Sequence, residues 1–157
     1  MCVAVAGLIH LWVVPEHLGE ALRLGLFFAV LGVAQLALAW ALRAALATWV
    51  VVGAVAAHLA VVVLYVATRT VDLPFVPVHD HDEHVAIART VGNGVPIFPG
   101  SRIEEVGVLD MACLGAELVA VALLVSLLPR RIGGRFVDVM LGLGLLGSLL
   151  RGVGVLS

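Results

Sequence analysis

Apolar residues gather along the chain into long runs, and the polar ones fall between them. Four runs approach or reach the roughly 20 residues that a membrane-crossing helix requires; they lie at about 1–15, 20–42, 46–67 and 107–128. A fifth, 136–150, is rich in glycine and leucine ("FVDVMLGLGLLGSLL") and sits between Arg135 and Arg151. Arginines at both ends suit a span whose ends snorkel to the two interfaces, or a helix lying at one interface; a fifth span is the expectation.

The connections are short: "PEHLG" between runs one and two, "RAA" between two and three, "PRRIGGR" after four. Residues 68–106 are the exception, a Pro/Gly-rich segment bearing most of the charge. No internal repeat is visible. The pattern predicts an all-α fold in a single domain, 1–157, an integral membrane bundle of four to five transmembrane helices with one long extracytoplasmic loop at about 68–106.

Composition agrees. The chain is 62% hydrophobic and 13% charged, with a mean hydropathy of +1.17. Soluble domains carry about 25% charged residues, so this chain has too few polar side chains to cover a water-facing surface. The lipid bilayer of a cell membrane is its expected surrounding. A net charge of −2, nine arginines and no basic stripe exclude a nucleic-acid partner. Cys2 and Cys113 lie far apart and form no CxxC pair, so no disulfide framework is implied. The start, "MCVAVAGLIHLWVV", lacks the basic region and cleavage site of a signal peptide. A retained first helix is expected, short enough that the natural start lies upstream or Met1 sits deep in the bilayer.

Arginine placement orients the bundle, because cytoplasmic loops carry the excess of basic residues. Arg43 lies in the second connection, and Arg130, Arg131 and Arg135 in the fourth. With alternating helices these share one side, giving a multi-pass plasma-membrane protein with a cytoplasmic N-terminus. "PEHLGE" and 68–106 are then outside, and nine of the eleven acids lie in or beside those two segments. Arg69, Arg89 and Arg102 are also outside, so the bias is moderate.

Several ionisable groups interrupt the runs. Near the bilayer centre such a group costs about 2.5–3.5 kcal/mol on insertion scales, which marks it for function. Glu117 and His58 each lie about ten residues from the outer end of their spans, roughly 15 Å deep at the helical rise. Asp110 is seven residues before Glu117 and on the same face. His10 lies above them, and Glu16 and His17 lie near the outer mouth, where Pro15 ends or kinks the helix. Gln35 sits deeper, towards the cytoplasmic side. Three helices thus direct imidazole or carboxylate into one layer in the outer half of the bundle.

Mixed imidazole and carboxylate donors suit a transition metal: zinc, iron, nickel or copper in its divalent state. Soft sulfur near the layer is limited to Cys113 and Met111, which argues against a dedicated copper(I) site. No ligand pair has a diagnostic spacing such as HExxH. Each residue also has a plain structural role open to it: a neutral histidine on a backbone carbonyl, Glu117 or Gln35 bonding helix to helix, or Glu16 and His17 simply solvated. In the outer loop, "HDHDEH" (79–84) adds His79, His81 and His84 as a flexible tract suited to metal capture, pH sensing or plain solvation.

His10, Pro15, Glu16 and His17 form H-x4-PEH; Gln35 follows, then "RTVDLP" with Arg69, Thr70 and Pro74, then "EEVGVLDMACLGAE" with Gly107, Asp110 and Glu117. This order resembles small actinobacterial four-helix integral membrane proteins with an H-x4-PEH motif. The resemblance covers the first four spans and implies a helical membrane scaffold but no particular reaction. Asp72 stands where that group has Gly, and the His-rich insertion and fifth helix are further departures.

The function expected from these residues is handling of a transition-metal ion at the outer face, with metal ligands drawn from His10, His58, Asp110, Glu117, Glu16 and His17, and from the loop histidines. Three alternatives stay open: a membrane metalloenzyme with Glu117 as base, a haem b electron-transfer protein with His10 and His58 as axial ligands, and an accessory subunit locked to partner helices. Gly142, Gly144 and Gly147 would suit close packing in a homo-oligomer or against a partner membrane subunit.

Overall fold

A computed structural model describes residues 1–70, 90–93 and 105–152. The described chain is helical: α1 (Cys2–Glu20), α2 (Leu22–Ala41), α3 (Thr48–Thr70), α4 (Val108–Ser126) and α5 (Arg130–Gly152). All five helices are long and apolar enough to cross a membrane. Two short strands, β1 (Thr90–Asn93) and β2 (Glu105–Gly107), pair antiparallel just ahead of α4.

The boundaries differ from those the apolar runs predict. "PEHLG" is not a connection but the last turns of α1, which continues through Pro15 to Glu20. Proline removes one N–H and leaves the Leu11 carbonyl without its helical donor, yet its φ is helical, so the helix persists. The chain reverses at Ala21, which is extended (φ −159°, ψ 130°). "RRIGGR" likewise belongs to α5, which starts at Arg130 rather than 136. Of the long segment at 68–106, α3 takes the first residues and the ribbon takes 90–93 and 105–106; the rest lies outside the described residues.

Contacts fix the directions. Gly7 meets Gly32, and Leu18 meets Gly25, so α1 and α2 run antiparallel. A Cβ on Gly32 would lie 2.8 Å from the Gly7 carbonyl and 2.7 Å from Leu11 Cγ, so the two backbones nearly touch there. Small residues permit this approach, as in membrane helix pairs generally. α3 packs against α4 and the turn that follows it through Val51, Ala54, Val55, Leu124 and Leu128, an apolar plug that also receives Leu38, Leu42 and Phe136.

The bundle is apolar outside and polar within. Trp12, Trp40, Trp49 and a long series of Leu and Val side chains are exposed, while His10, Gln35, His58 and Glu117 are buried. Lipid-facing helices show this inversion, since the outside needs no polar cover. The Arg43 guanidinium lies 4.1 Å over the Trp40 ring, an amphipathic pair suited to an interface.

Candidate metal centre

Each buried polar residue extends an apolar or small-residue stripe at helical spacing. Val3, Ala6, Gly7 and His10 line α1; Gly25, Gly32 and Gln35 line α2; Val51, Val55 and His58 line α3; Glu117, Ala120 and Leu124 line α4. Side chains so spaced share one face. Packing the stripes together makes the four polar groups meet.

They meet in a continuous chain. Gln35 Nε2 donates to Glu117 Oε1 at 2.6 Å, and Gln35 Oε1 faces His10 Nδ1 at 2.8 Å. The amide therefore sets the imidazole: Nδ1 carries the proton and donates, leaving the lone pair on Nε2. That nitrogen faces Cys113 Sγ at 3.3 Å, so the thiol donates to it. At the other end His58 Nδ1 donates to Glu117 Oε2. His10, Gln35, His58 and Glu117 come from four different helices, and each is at most 5% exposed.

His10, Cys113 and Glu117 each offer a ligand atom, and the three atoms lie within 4.8 Å of one another. This is a cluster able to hold a metal ion. Zinc bonds of about 2.0–2.3 Å place tetrahedral ligand atoms roughly 3.5 Å apart, so an ion would draw the three together by about an ångström. The His10 Nδ1–H···Gln35 contact is the outer hydrogen bond that metal-bound histidines characteristically make, fixing the ring and its tautomer.

His10, His58 and Glu117 each stand near the middle of their helix. His10 drops to the level of Glu117 because α1 continues beyond Pro15. Gln35, placed by the sequence below the others, bridges His10 and Glu117 instead.

The remaining sequence candidates have other engagements. Asp110 Oδ2 accepts from the Gly107 N–H at 2.9 Å, capping the start of α4. His17 bonds Glu20 Oε2 at 2.8 Å and stacks on Phe28 at 4.3 Å, and the Phe28 ring also lies against His10. Glu16 belongs to the same last turns of α1. His58 joins the cluster through Glu117. His79, His81 and His84 lie outside the described residues.

Cys113 is the member of the cluster absent from the ligand set drawn from sequence. It precedes Glu117 by four residues, which puts both on one face of α4, and that spacing was the signal available. Comparisons with protein families, with curated proteins and with solved structures give no match, so function must be drawn from the chemistry of this cluster.

Proposed function

We propose that this chain is a multi-pass membrane protein that binds a transition-metal ion inside its helical bundle and handles it at the outer face of the membrane. The observation that carries this is the convergence of His10, Cys113 and Glu117 ligand atoms within 4.8 Å, beside buried Gln35 and His58. The orientation rests on Arg43, Arg130, Arg131 and Arg135 at one end of the helices, against Glu16, His17 and Glu20 at the other, where Arg23 and Arg69 keep the bias moderate. The N-terminus is then cytoplasmic, and His79, His81 and His84 stand outside to capture the ion. Haem b has less support, because Gln35 and Glu117 side chains link His10 to His58 where a porphyrin would have to lie.

Elemental analysis of protein purified without chelator tests the proposal. Close to one equivalent of a transition metal is expected, lost on His10→Ala together with Cys113→Ala. Protein that remains metal-free after dialysis against zinc, copper(II), nickel and iron(II) salts would refute it.

A further inference from the structure

We infer that the His10–Cys113–Glu117 cluster takes a divalent ion of the zinc type and holds it with one coordination position open to an exogenous donor, reached from the Cys113 side. This rests on the metal-binding function proposed above and adds the class of ion and its route of exchange.

The donor set selects the class. One imidazole nitrogen, one sulfur and one carboxylate are available. Calcium and magnesium require six or more oxygen ligands, and only one residue here supplies oxygen. Dedicated copper(I) sites are built from soft sulfur, and the cluster has one sulfur atom. Zinc-type ions accept nitrogen, sulfur and oxygen together. Charge points the same way. A ligated thiolate and carboxylate with a neutral imidazole carry two negative charges, which a divalent ion cancels. A monovalent ion would leave net charge among residues as buried as Glu117, at 1% exposure, where an unbalanced charge is expensive.

The count of ligands leaves the site open. Closed structural zinc sites use four protein ligands, whereas sites with three keep a position for an outside molecule. No fourth donor of this chain is free to complete the set among the described residues. Gln35 uses both ends of its amide on His10 and Glu117. His58 has its Nδ1 on Glu117 Oε2, so its Nε2, buried and without a hydrogen-bond partner, points away from the carboxylate. Of the three ligands, His10 and Glu117 are buried and Cys113 is half-buried, so a fourth donor enters past the sulfur. An outside imidazole or thiol donor could occupy that position.

Cobalt(II) substitution provides the test, on the full chain in detergent carrying Cys2→Ser so that Cys113 is the sole thiol. The chelator-stripped, reduced protein should bind one equivalent of cobalt(II) with a near-ultraviolet thiolate-to-cobalt charge-transfer band and intense visible bands. Added imidazole should shift the visible bands without releasing cobalt. Bound zinc should slow alkylation of Cys113 by N-ethylmaleimide at least tenfold. Bound cobalt without a charge-transfer band would overturn the assignment of sulfur as a ligand. Visible bands unmoved by saturating imidazole would overturn the open position. Failure to bind cobalt and zinc in protein that still takes up copper(II), nickel or iron(II) would overturn the zinc-type assignment, whereas failure to bind any of them would refute the metal-binding function beneath it. The imidazole titration needs no variant in the cluster, so it does not depend on an altered cluster folding.

Discussion

Replacing Glu117 by glutamine separates a metal ligand from a strut between helices. The carboxylate accepts from Gln35 on one oxygen and from His58 on the other. In Glu117→Gln the new carbonyl still accepts from Gln35, and the new amide N–H can donate to His58 Nδ1 once that ring's proton moves to Nε2. The helix-to-helix bonds survive, so stability without metal should stay within about 1 kcal/mol of the wild type. Metal binding should not survive. An ion present at a hundredfold excess over its dissociation constant stabilises the fold by about 2.7 kcal/mol. At roughly 2–4 °C per kcal/mol for a chain of this size, the wild type should gain about 5–11 °C. A hundredfold weaker site under the same conditions gives about 0.4 kcal/mol, or roughly 1 °C. Glu117→Leu is the contrast: it strands both donors, at about 1–3 kcal/mol each, and should lower stability even without metal. Intrinsic-fluorescence melting in detergent, with and without zinc, alongside elemental analysis, reads all three proteins. A glutamine variant that keeps its metal and its full thermal shift would show that Glu117 is only a strut.

Gly32→Leu should push α1 off α2, since its Cβ would meet the Gly7 carbonyl and Leu11; a loss of about 1–3 kcal/mol together with metal release is expected from melting and elemental analysis, while Gly53→Ala, with open space around it, should be neutral. Gln35→Leu leaves His10 Nδ1–H without its acceptor, and zinc affinity, measured by competition with a chromophoric chelator, should fall about 10–100-fold as for other outer hydrogen bonds to metal-bound histidine. Cysteine at residue 93 should react with a membrane-impermeant thiol reagent in intact cells and cysteine at residue 132 should not; the reverse pattern would invert the bundle. Replacing His79, His81 and His84 together by alanine should slow metal loading from dilute solution and leave the melting temperature without metal unchanged, and a large drop in that temperature would make the tract structural.

Hydropathy marks where the helices are, because it reports which residues lipid accepts, yet runs one and five, at 1–15 and 136–150, are each shorter than the helix they mark. It does not report where helices stop. Pro15, Glu16 and His17 look like a connection, yet a proline late in a helix removes one bond and no more, and α1 keeps going. That shift by a few residues lowers His10 to the level of Glu117. The single-residue reversal at Ala21 then sets Gln35 opposite His10, a register that depends on the Gly7–Gly32 contact and has no hydropathy signature. His58 and Glu117 are legible as partners because an ionisable group midway along an apolar helix must face another. Cys113 is harder to recognise. A cysteine among apolar residues serves equally as a small packing residue, and only its spacing from Glu117, combined with the position of His10 on another helix, makes it a candidate ligand. Asp110 shows the opposite failure: it shares a face with Glu117, but at the start of α4 the backbone N–H of Gly107 claims it.

Why the bundle keeps such a layer at all follows from magnitudes. Polar bonds between membrane helices average about 0.6 kcal/mol each, because the separated helices also find polar partners. The four side-chain bonds that link Cys113, His10, Gln35, Glu117 and His58 therefore contribute roughly 2–3 kcal/mol. One ionised carboxylate at mid-helix costs about as much on insertion scales, before the three other polar side chains are counted. Leucine and alanine at these positions would hold the helices together at least as well, as the apolar plug of Val51, Val55, Leu124 and Leu128 does one to three turns away. A layer that adds so little as adhesive is better explained by what it can bind. The cation supplies the missing term: the carboxylate that burdens the core without metal, and a thiol that gives up its proton on ligation, together become the counter-charge of a divalent ion held between them.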